Sequence, residues 1–357
     1  MTFTLALDLT SMRKDINSAL TQFVQGENKY LSKIGPELDP VAIGIEKFLL
    51  DSGKRLRPLF AYVGYLATGN TVNPEIVKAL SSLELIHVCA LIHDDVMDGS
   101  DTRRGAPSIH KSFESMHIKE NLNGSSSKFG VASAILMGDL ALVWSAQMLH
   151  TSGIKDHELI NVLPFYDEMR VELMAGQYLD VFEQSLATQS IDRSMKVARY
   201  KSGKYTIERP LHFGGSLGGA SKDLLETFSN YGIPLGEAFQ LRDDLLGIFG
   251  NPDETGKPSG DDLREGKRTA LMAITMDRAS DSQLKYLSRY FGDSNLSLEQ
   301  ISQIQEIIVD TGAQSHIELM IEQLAQRSLS ALTFEGISSV GKDLLAQLVQ
   351  ISTIRKI

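Results

Sequence analysis

The sequence predicts an all-α fold, a large single-domain helical bundle, and three observations lead to that prediction. Long stretches repeat apolar residues at helical spacing, with almost no alternation of the β type. Only 10 prolines occur in 357 residues, and most of them fall at the ends of these stretches. We see no internal repeat, and no linker divides the chain into two segments of different composition. We therefore expect one domain over residues 1–357, with about ten or more helices.

The predicted helices follow one another along the whole chain, between breaks rich in Gly, Asn, Pro and charged residues. An N-terminal helix precedes a core that begins at about Val41. Three helices contain Pro164, Pro210 and Pro234, which should bend or interrupt them because proline lacks an amide hydrogen. The predicted helices are Ser11–Tyr30, Val77–Met97, Phe129–His150, Glu158–Ser185, Arg193–Gly219, Lys222–Phe249, Thr269–Phe291, Ser297–Leu332 and Gly341–Ile354.

Composition and charge argue against several classes of protein. The net charge is −10 and the pI about 5.3, which disfavours nucleic-acid binding, since that needs many contacts between basic side chains and phosphate. The single cysteine, Cys89, cannot form an intramolecular disulfide and fits a reduced compartment. We see no basic, apolar leader at the N-terminus and no apolar run that approaches about 20 residues. We therefore expect a cytoplasmic protein that neither binds nucleic acid nor inserts stably into a membrane.

The most informative stretch is Leu83–Gly105, LELIHVCALIHDDVMDGSDTRRG, in which an apolar helix ends in acidic residues. Counting back from Asp98 in steps of three or four gives Asp94, Ala90 and His87, so these side chains share one helical face. Because the lower part of that face is apolar, the carboxylates should lie at the mouth of an interior cavity. A hard divalent cation such as Mg²⁺ would relieve their repulsion. For this motif alone, a solvated acidic helix end is an equally good interpretation.

A second acidic pair follows another apolar helical run. Asp243 and Asp244 repeat the pattern, and the long loop beyond them is rich in Gly, Pro and charge. Loops of that length inside a compact domain are usually functional or disordered. Basic residues follow each pair, namely Arg103 and Arg104 after the first, and Lys257, Lys267 and Arg268 after the second. Two such motifs on separate helices indicate a metal-assisted phosphate site far more specifically than either alone.

A basic cluster near the N-terminus supplies the cationic patch that an acidic protein needs to bind a diphosphate. Lys54, Arg55 and Arg57 follow Gly53 in the stretch DSGKRLRP. Taken alone, this cluster reads more readily as a solvated helix start. Combined with two acidic clusters and a deep apolar cavity, it indicates ionisation of an allylic diphosphate, with a second diphosphate held without metal. The apolar cavity would shield the carbocation from water.

Five motifs in order resemble those of the trans-isoprenyl diphosphate synthases of the polyprenyl synthetase family. They are GKRLRP, LIHDDVMDGSDTRRG, GQYLD, KSGKYT and FQLRDDLLGIFGNPDETGKPSGDD, and the resemblance covers the chain from about Val41 onward. It implies an isoprenoid-synthase-type bundle with a central active-site cavity, and a homodimer formed through a helix face. It also implies condensation of isopentenyl diphosphate with an allylic diphosphate (dimethylallyl, geranyl or farnesyl), with release of diphosphate.

The resemblance also implies a metal site with about three Mg²⁺ ions, for which Mn²⁺ is an alternative ion. Asp94, Asp98 and Asp243 would bind metal directly. The supporting acids would be Asp95, Asp244 and Asp261, the last two acting largely through waters. Gly247 stands where a third acid of the second motif is common, so we expect the third ion to be held more loosely or more indirectly.

The same resemblance assigns the substrate contacts. The allylic diphosphate would meet Arg103, Lys201 and Lys257, with Ser202 in place of a common threonine and Gln177 beside the reacting centre. Isopentenyl diphosphate would meet Lys54, Arg57, His87 and Arg104, in a site lined by Phe239 and Gln240. The implied catalytic set is Asp94, Asp95, Asp98, Asp243, Asp244, Lys201 and Gln177. On their own, His87 reads as a satisfied core histidine and Gln177 as a solvated side chain.

Product length is predicted from the residues just before the first acidic motif. In the family, bulky aromatic residues four or five positions before the first aspartate stop growth at fifteen carbons. Those positions hold Ala90 and Cys89, both small, so the tail should pass them to a floor near Ile86 or Leu83. That depth favours the twenty-carbon product, geranylgeranyl diphosphate. Farnesyl and longer-chain products are the alternatives, because facing helices also shape the pocket.

Three rival functions stay open from the sequence. A class I terpene cyclase shares the first acidic motif and an ionising diphosphate, but it has no use for GKRLRP, His87 or a second substrate. A non-catalytic subunit that tunes another synthase would have lost acids from one motif, whereas the acids of both are present here. A helical interaction module would need none of these residues.

Overall fold

The computed structural model describes residues 8–51, 53–186, 188, 190–250 and 260–353, and it confirms the all-α prediction. Across these ranges, β structure is confined to one antiparallel hairpin, formed by β1 (Thr102–Arg103) and β2 (Ala106–Pro107). The predicted substrate ligand Lys257 lies outside the described residues, as do residues 354–357.

The described helices carry the chain from one end to the other. The first six are α1 (Leu9–Ile34), α2 (Asp39–Leu50), α3 (Leu56–Ala67), α4 (Pro74–Met97), α5 (Ile109–Lys119) and α6 (Ser126–His150), with a 3₁₀ turn at Pro36–Leu38. Then come α7 (Asp156–Gln184), α8 (Ile191–Val197), a π-helix (Ala198–Glu208), α9 (Arg209–Leu217) and α10 (Lys222–Phe249). The remaining helices are α11 (Asp261–Glu265), α12 (Ala270–Arg278), α13 (Asp281–Tyr290), α14 (Leu298–Asp310), α15 (Ala313–Ala331) and α16 (Ser339–Thr353).

Two of the predicted helices are each divided in the structure. Thr269–Phe291 is α12 and α13, because Ser280 starts a new helix with a capping box that it forms with Gln283. Ser297–Leu332 is α14 and α15, because Gly312 has a φ of 68° and ends the first of them. The prolines predicted to bend α7 and α10 lie inside continuous helices.

The chain divides into two compact units. The first comprises Met1–Pro164 and Phe213–Gly219, and the second comprises Phe165–His212 and Ala220–Ile357. The single domain over residues 1–357 stays a prediction.

Helix α4 lies at the centre of the first unit. Asn73 caps its start, where its Oδ1 accepts a hydrogen bond from the amide of Ile76 at 2.9 Å. Apolar residues surround most of the helix, so it packs against α1, α3 and α6 instead of exposing one polar face. Leu83 and Ile86 in its middle are fully buried, and partial exposure begins at His87, toward the acidic end.

In the second unit, α10 packs against the π-helix and α15. The approach to the π-helix is close at two glycines, since a Cβ placed on Gly236 would overlap the backbone of Gly203. Leu241, Leu245 and Ile248 on α10 are fully buried in the apolar core of this unit. This core fixes the end of α10 that carries the second acidic motif.

Two helices, α4 and α6, are long and apolar enough to cross a membrane, judged by length and composition alone. The expectation that no apolar run approaches this length is therefore corrected for these two helices. In α4, 72% of the apolar window is buried inside the protein, as in the core helix of a soluble protein. In α6 only 39% is buried, so this helix leaves much of its apolar side exposed.

Candidate active site

The first acidic motif occupies the last turn of α4, where Asp98 caps the helix. Asp94 and Asp98 are partly exposed, whereas Asp95 is 1% exposed. Arg103 on β1 donates from Nε to Asp95 Oδ1 at 2.7 Å, and its terminal nitrogen lies 3.4 Å from Asp94 Oδ2. Burial opposes the charge of this guanidinium, but the hydrogen bond and charge of Asp95 outweigh it and raise the pKa of Arg103. The motif therefore presents two carboxylates bridged by one arginine.

The hairpin that carries Arg103 turns at Arg104 and Gly105. Both turn residues have positive φ, 53° and 74° respectively. That combination suits a two-residue hairpin turn, but it strains Arg104, because a side chain with a Cβ rarely adopts this conformation. Backbone strain of this kind clusters at functional sites. The hairpin separates the two arginines, so that Arg103 pairs with the acidic motif while Arg104 belongs to a second cluster.

That second cluster surrounds His87, which lies about two turns before Asp94 on α4. His87 is partly exposed, and its pKa is lowered well below 6.5 by burial and by the positive charges of Arg57, Arg104, Arg103 and Arg55. The imidazole is therefore neutral near pH 7 and can still donate one hydrogen bond. Several arginines around a neutral donor form a site that favours a polyanion.

The three basic residues in DSGKRLRP have different surroundings. Lys54 is exposed, and Arg57 is 8% exposed and acts on His87. Arg55 instead forms a buried ion pair with Glu84 on α4, at 2.9 Å. The structure thus places Arg57 and Arg104 close enough to His87 for their charges to lower its pKa, and it places Arg55 in the interior. The role of these residues as ligands stays a prediction.

In the second unit, the predicted ligand Lys201 lies on the π-helix. Its Nζ is 2.5 Å from Asp180 Oδ2 on α7, the helix that also carries the partly exposed Gln177. A Cβ on Gly176 would overlap the backbone of Lys201, so α7 and the π-helix can approach closely only with glycine there. π-Helices are rare and often occur at functional sites. Ser202, the next residue, is partly exposed.

The second acidic motif lies in the last two turns of α10, with Asp243 partly exposed and Asp244 7% exposed. Gln240 donates to Asp244 Oδ1 at 2.7 Å. Burial, together with the charges of Asp262 and Asp243, raises the pKa of Asp244 to about 8, despite that hydrogen bond. An acid with such a pKa binds either a proton or a cation at neutral pH. Phe239, predicted to line a substrate site, is 7% exposed on the same helix.

Asp262 is a residue of this site that sequence reasoning missed. Its carboxylate lies over Gly247, so closely that a Cβ at position 247 would overlap both Oδ2 and Cγ of Asp262. Lys267 Nζ is 3.3 Å from the other oxygen, Oδ1. Asp262 thus adds to the predicted supporting acids Asp95, Asp244 and Asp261, whose role stays a prediction. Gly247 is the sequence feature that could have pointed to Asp262, because a position without a side chain leaves room for a side chain from elsewhere in the protein.

The predicted product pocket is partly exposed at Ala90, whereas Leu83 and Ile86 are fully buried. Cys89 is turned toward α6, since its sulfur lies 3.7 Å from His93 Nδ1, and His93 Nε2 lies 3.0 Å from the carbonyl of Ile135. The face below Asp94 therefore contains Ala90, while Cys89 packs against the neighbouring helix.

The arrangement of the acidic residues shows whether a divalent cation could bind here. Among the described residues, no three groups of His, Cys, Asp or Glu converge on one point. Mg²⁺ does not require such a cage, because it keeps several waters and is usually held by one or two carboxylates plus substrate phosphates. Asp94 and Asp98 in one unit, and Asp243 in the other, are partly exposed carboxylates that fit this mode of binding.

Comparison with known proteins finds the family model of polyprenyl synthetases over residues 44–308, a range with both acidic motifs and the basic cluster. A short chain isoprenyl diphosphate synthase of Methanocaldococcus jannaschii is 30% identical over 79% of this chain and 82% of the relative. The geranylgeranyl diphosphate synthase of Saccharolobus solfataricus is 27% identical over 93% of this chain and 94% of the relative. A crystal structure of geranylgeranyl pyrophosphate synthase from Corynebacterium glutamicum, complexed with isoprenyl diphosphate and magnesium, is 40% identical with a TM-score of 0.95, covering 98% of this chain and 100% of that one.

Proposed function

Because the chain belongs to the polyprenyl synthetase family, we propose that it condenses isopentenyl diphosphate with an allylic diphosphate to form geranylgeranyl diphosphate. The observation that carries this proposal is that two clusters of opposite charge lie toward the same end of α4. One is the arginine cluster around the neutral His87, and the other is the acidic pair Asp94 and Asp95. A terpene cyclase needs only the acidic site.

The two sites suit different diphosphates. The acidic site attracts an anion only together with a cation. We propose roughly three Mg²⁺ ions for the protein, with Asp94, Asp98 and Asp243 as their ligands and Mn²⁺ as an alternative. Bound there, the metal supplies positive charge to the departing diphosphate. We propose that Arg103, which bridges Asp94 and Asp95, adds a charged donor to that diphosphate.

The arginine cluster needs no metal. Arg57 and Arg104 offer charged donors, and His87 offers a neutral one, so we propose that they hold isopentenyl diphosphate together with Lys54. In the second unit, we propose that Lys201 and Lys257 contact the allylic diphosphate beside Gln177 and Ser202. Phe239 and Gln240 would line the second substrate's site.

The proposed reaction balances without a dedicated side-chain base. The bond between the allylic carbon and the diphosphate oxygen breaks, and the isopentenyl double bond supplies the electrons of the new carbon–carbon bond. The carbon next to the resulting cation then loses a proton to the released diphosphate. His87 is poorly suited to accept that proton, because the surrounding arginines disfavour its charged form.

The twenty-carbon product is supported by the residues below Asp94. Ala90 leaves the upper pocket open, and the full burial of Leu83 and Ile86 offers a floor. Asp94 and Leu83 are 11 residues apart, which corresponds to about 16 Å along a helix. Geranylgeranyl diphosphate synthases are also among the relatives of this chain.

We also propose that the protein is a homodimer, a single cooperative domain, and cytoplasmic. The exposed apolar side of α6 supports the dimer, since Leu136 and Val143 are 67% and 60% exposed. A contiguous apolar face of that kind usually marks an interaction surface.

Turnover of the purified chain alone tests the proposal. Incubation with Mg²⁺ and farnesyl diphosphate should release diphosphate only when isopentenyl diphosphate is also present. Release without isopentenyl diphosphate would indicate a terpene cyclase, and no release with both substrates would indicate a non-catalytic subunit. The Asp94→Asn variant is the negative control.

A further inference from the structure

Arg55 lies between two proposed ligands, Lys54 and Arg57, yet it points into the protein. Its NH1 donates to Glu84 Oε1 at 2.9 Å, and both side chains are 3% exposed. Its Nε donates to Asn17 Oδ1 on α1 at 2.8 Å. One guanidinium therefore ties the basic loop to two different helices.

The backbone of this loop is strained at the same residue. Arg55 has a φ of 53°, and it caps the start of α3 in that left-handed conformation. This conformation is strained for a non-glycine residue, which keeps it only where its surroundings determine it. Here the determining contacts are those to Glu84 and Asn17. Because Lys54 and Arg57 flank Arg55, the backbone conformation of Arg55 determines the positions of their Cα atoms and the directions of their side chains.

Glu84 also acts on the other strained arginine of the cluster. Burial lowers the pKa of Arg104, and the charge of Glu84 is the strongest of those that oppose this shift. Arg55 and Arg104 both have a φ of 53°. One buried carboxylate therefore faces both arginines that are held in strained conformations.

Helix α1 contributes from outside the matched family range of residues 44–308. In addition to the Asn17 contact, Arg13 Nε donates to the carbonyl of Lys54 at 3.3 Å. Two residues on one side of α1 thus contact the loop at consecutive positions, Lys54 and Arg55.

We propose that Glu84 and Asn17 are positioning residues for the metal-free diphosphate site, acting through Arg55 to hold Lys54 and Arg57 in place. This inference rests on the proposed function, since it assumes that isopentenyl diphosphate binds there. A buried ion pair often adds little net stability compared with apolar packing. Positioning of the basic loop is therefore a better explanation of the pair formed by Arg55 and Glu84 than stability alone.

The Glu84→Gln variant separates positioning from simple charge. If Glu84 were only a negative charge near the cluster, its removal would strengthen anion binding and lower the KM for isopentenyl diphosphate. If it positions the loop, the KM should rise about tenfold, as expected for the loss of one charged hydrogen bond. The KM for farnesyl diphosphate should stay within about twofold of wild type, because the allylic site does not depend on Arg55.

The Asn17→Ala variant makes the same test without any change in charge. Its KM for isopentenyl diphosphate should rise about threefold, the effect of one neutral hydrogen bond. Asn28→Ala is the matched control, since Asn28 lies on the same helix but donates to Glu46 at 2.7 Å, away from the loop. Isothermal titration of isopentenyl diphosphate into metal-free protein should show the same changes in affinity, independent of catalysis.

The outcomes distinguish the inference from the proposed function. If wild type does not bind or use isopentenyl diphosphate, the proposed function fails. If wild type does so, an unchanged or lower KM in Glu84→Gln and an unchanged KM in Asn17→Ala would overturn the inference alone. Should Glu84→Gln not fold, Asn17→Ala against Asn28→Ala decides the question by itself.

Discussion

The carboxylate of Asp262 fills the space over Gly247, the position where the second acidic motif lacks a third acid. One residue thus makes room for the other, although they are 15 positions apart in the sequence. The expectation that the third ion is held more loosely or more indirectly stays a prediction, and Asp262 is a carboxylate that could take part in holding it.

Restoring the missing acid should therefore harm the protein. Gly247→Asp would overlap Asp262 and add a negative charge near Asp244, whose pKa is already raised to about 8. We expect kcat to fall at least tenfold, with a lower melting temperature, since charge and volume are both added to a packed site. Gly247→Ala is the control for volume alone. Wild-type or higher activity in Gly247→Asp would contradict this account.

The ionisation of Asp244 should make stability depend on pH. Its pKa is raised from 3.8 to about 8 in the folded protein, so the folded state holds a proton that the unfolded state has released. In metal-free protein, the Asp244 contribution to the free energy of unfolding should therefore be largest near pH 4 and decline as pH rises to about 8.

Urea unfolding of metal-free protein at pH 6 and pH 8 measures this effect. Asp244→Asn is the matched variant, because Asn can still accept the hydrogen bond from Gln240. The loss of stability between the two pH values should be smaller in the variant than in wild type. Equal losses would mean that Asp244 does not titrate in this range.

The two neighbouring small residues on α4 should differ in their effect on product length. Ala90→Phe should shorten the product toward fifteen carbons, because Ala90 shares the partly exposed face of Asp94. Cys89→Ala should leave the length unchanged, since Cys89 packs toward His93 and α6. Chromatography of labelled products distinguishes these results. Unchanged length in Ala90→Phe would refute the pocket assignment.

Substitutions at Lys201 and Arg57 should affect different substrates. Lys201→Gln should raise the KM for farnesyl diphosphate about tenfold or more, while Arg57→Gln should raise the KM for isopentenyl diphosphate by a similar factor, as each loses a charged contact with a diphosphate. Initial rates with each substrate varied in turn give both constants. If either variant changed both KM values equally, the assignment of these residues to separate sites would be wrong.

The apolar side of α6 should hold the dimer together. Leu136 is 67% exposed, so Leu136→Glu should cost the monomer little while placing a charge in an apolar interface. Sedimentation equilibrium should show a dimer for wild type and a monomer, or at least a tenfold weaker dimer, for the variant. Lys128→Glu, in the first turn of α6, serves as the control. If the wild-type protein were a monomer, the proposed homodimer would be wrong.

The sequence allowed the fold class, the family and the chemistry of both acidic motifs to be predicted, because helical periodicity and motif order are local properties. The family and the all-α fold are confirmed by the match over residues 44–308 and by the structure. The π-helix at Ala198–Glu208 was predicted only as a helix interrupted near Pro210, since its backbone depends on close packing against Gly176 and Gly236.

What the sequence could not provide is the direction of each side chain. Arg55 looks like a phosphate ligand in GKRLRP, but its partners Asn17 and Glu84 are 38 and 29 positions away. The contact of Asp262 with Gly247 likewise joins residues 15 positions apart. The hairpin turn between Arg103 and Arg104 could not be predicted from the sequence either, because arginine is unusual in a turn of that kind.

The central claim is most directly tested by the length of the product made by the purified protein. Labelled isopentenyl diphosphate is incubated with Mg²⁺ and each primer in turn (dimethylallyl, geranyl and farnesyl diphosphate), and the products are dephosphorylated and chromatographed. We predict that every primer accepted yields mainly the twenty-carbon alcohol. A dominant product of fifteen carbons, or of thirty or more, would contradict the account.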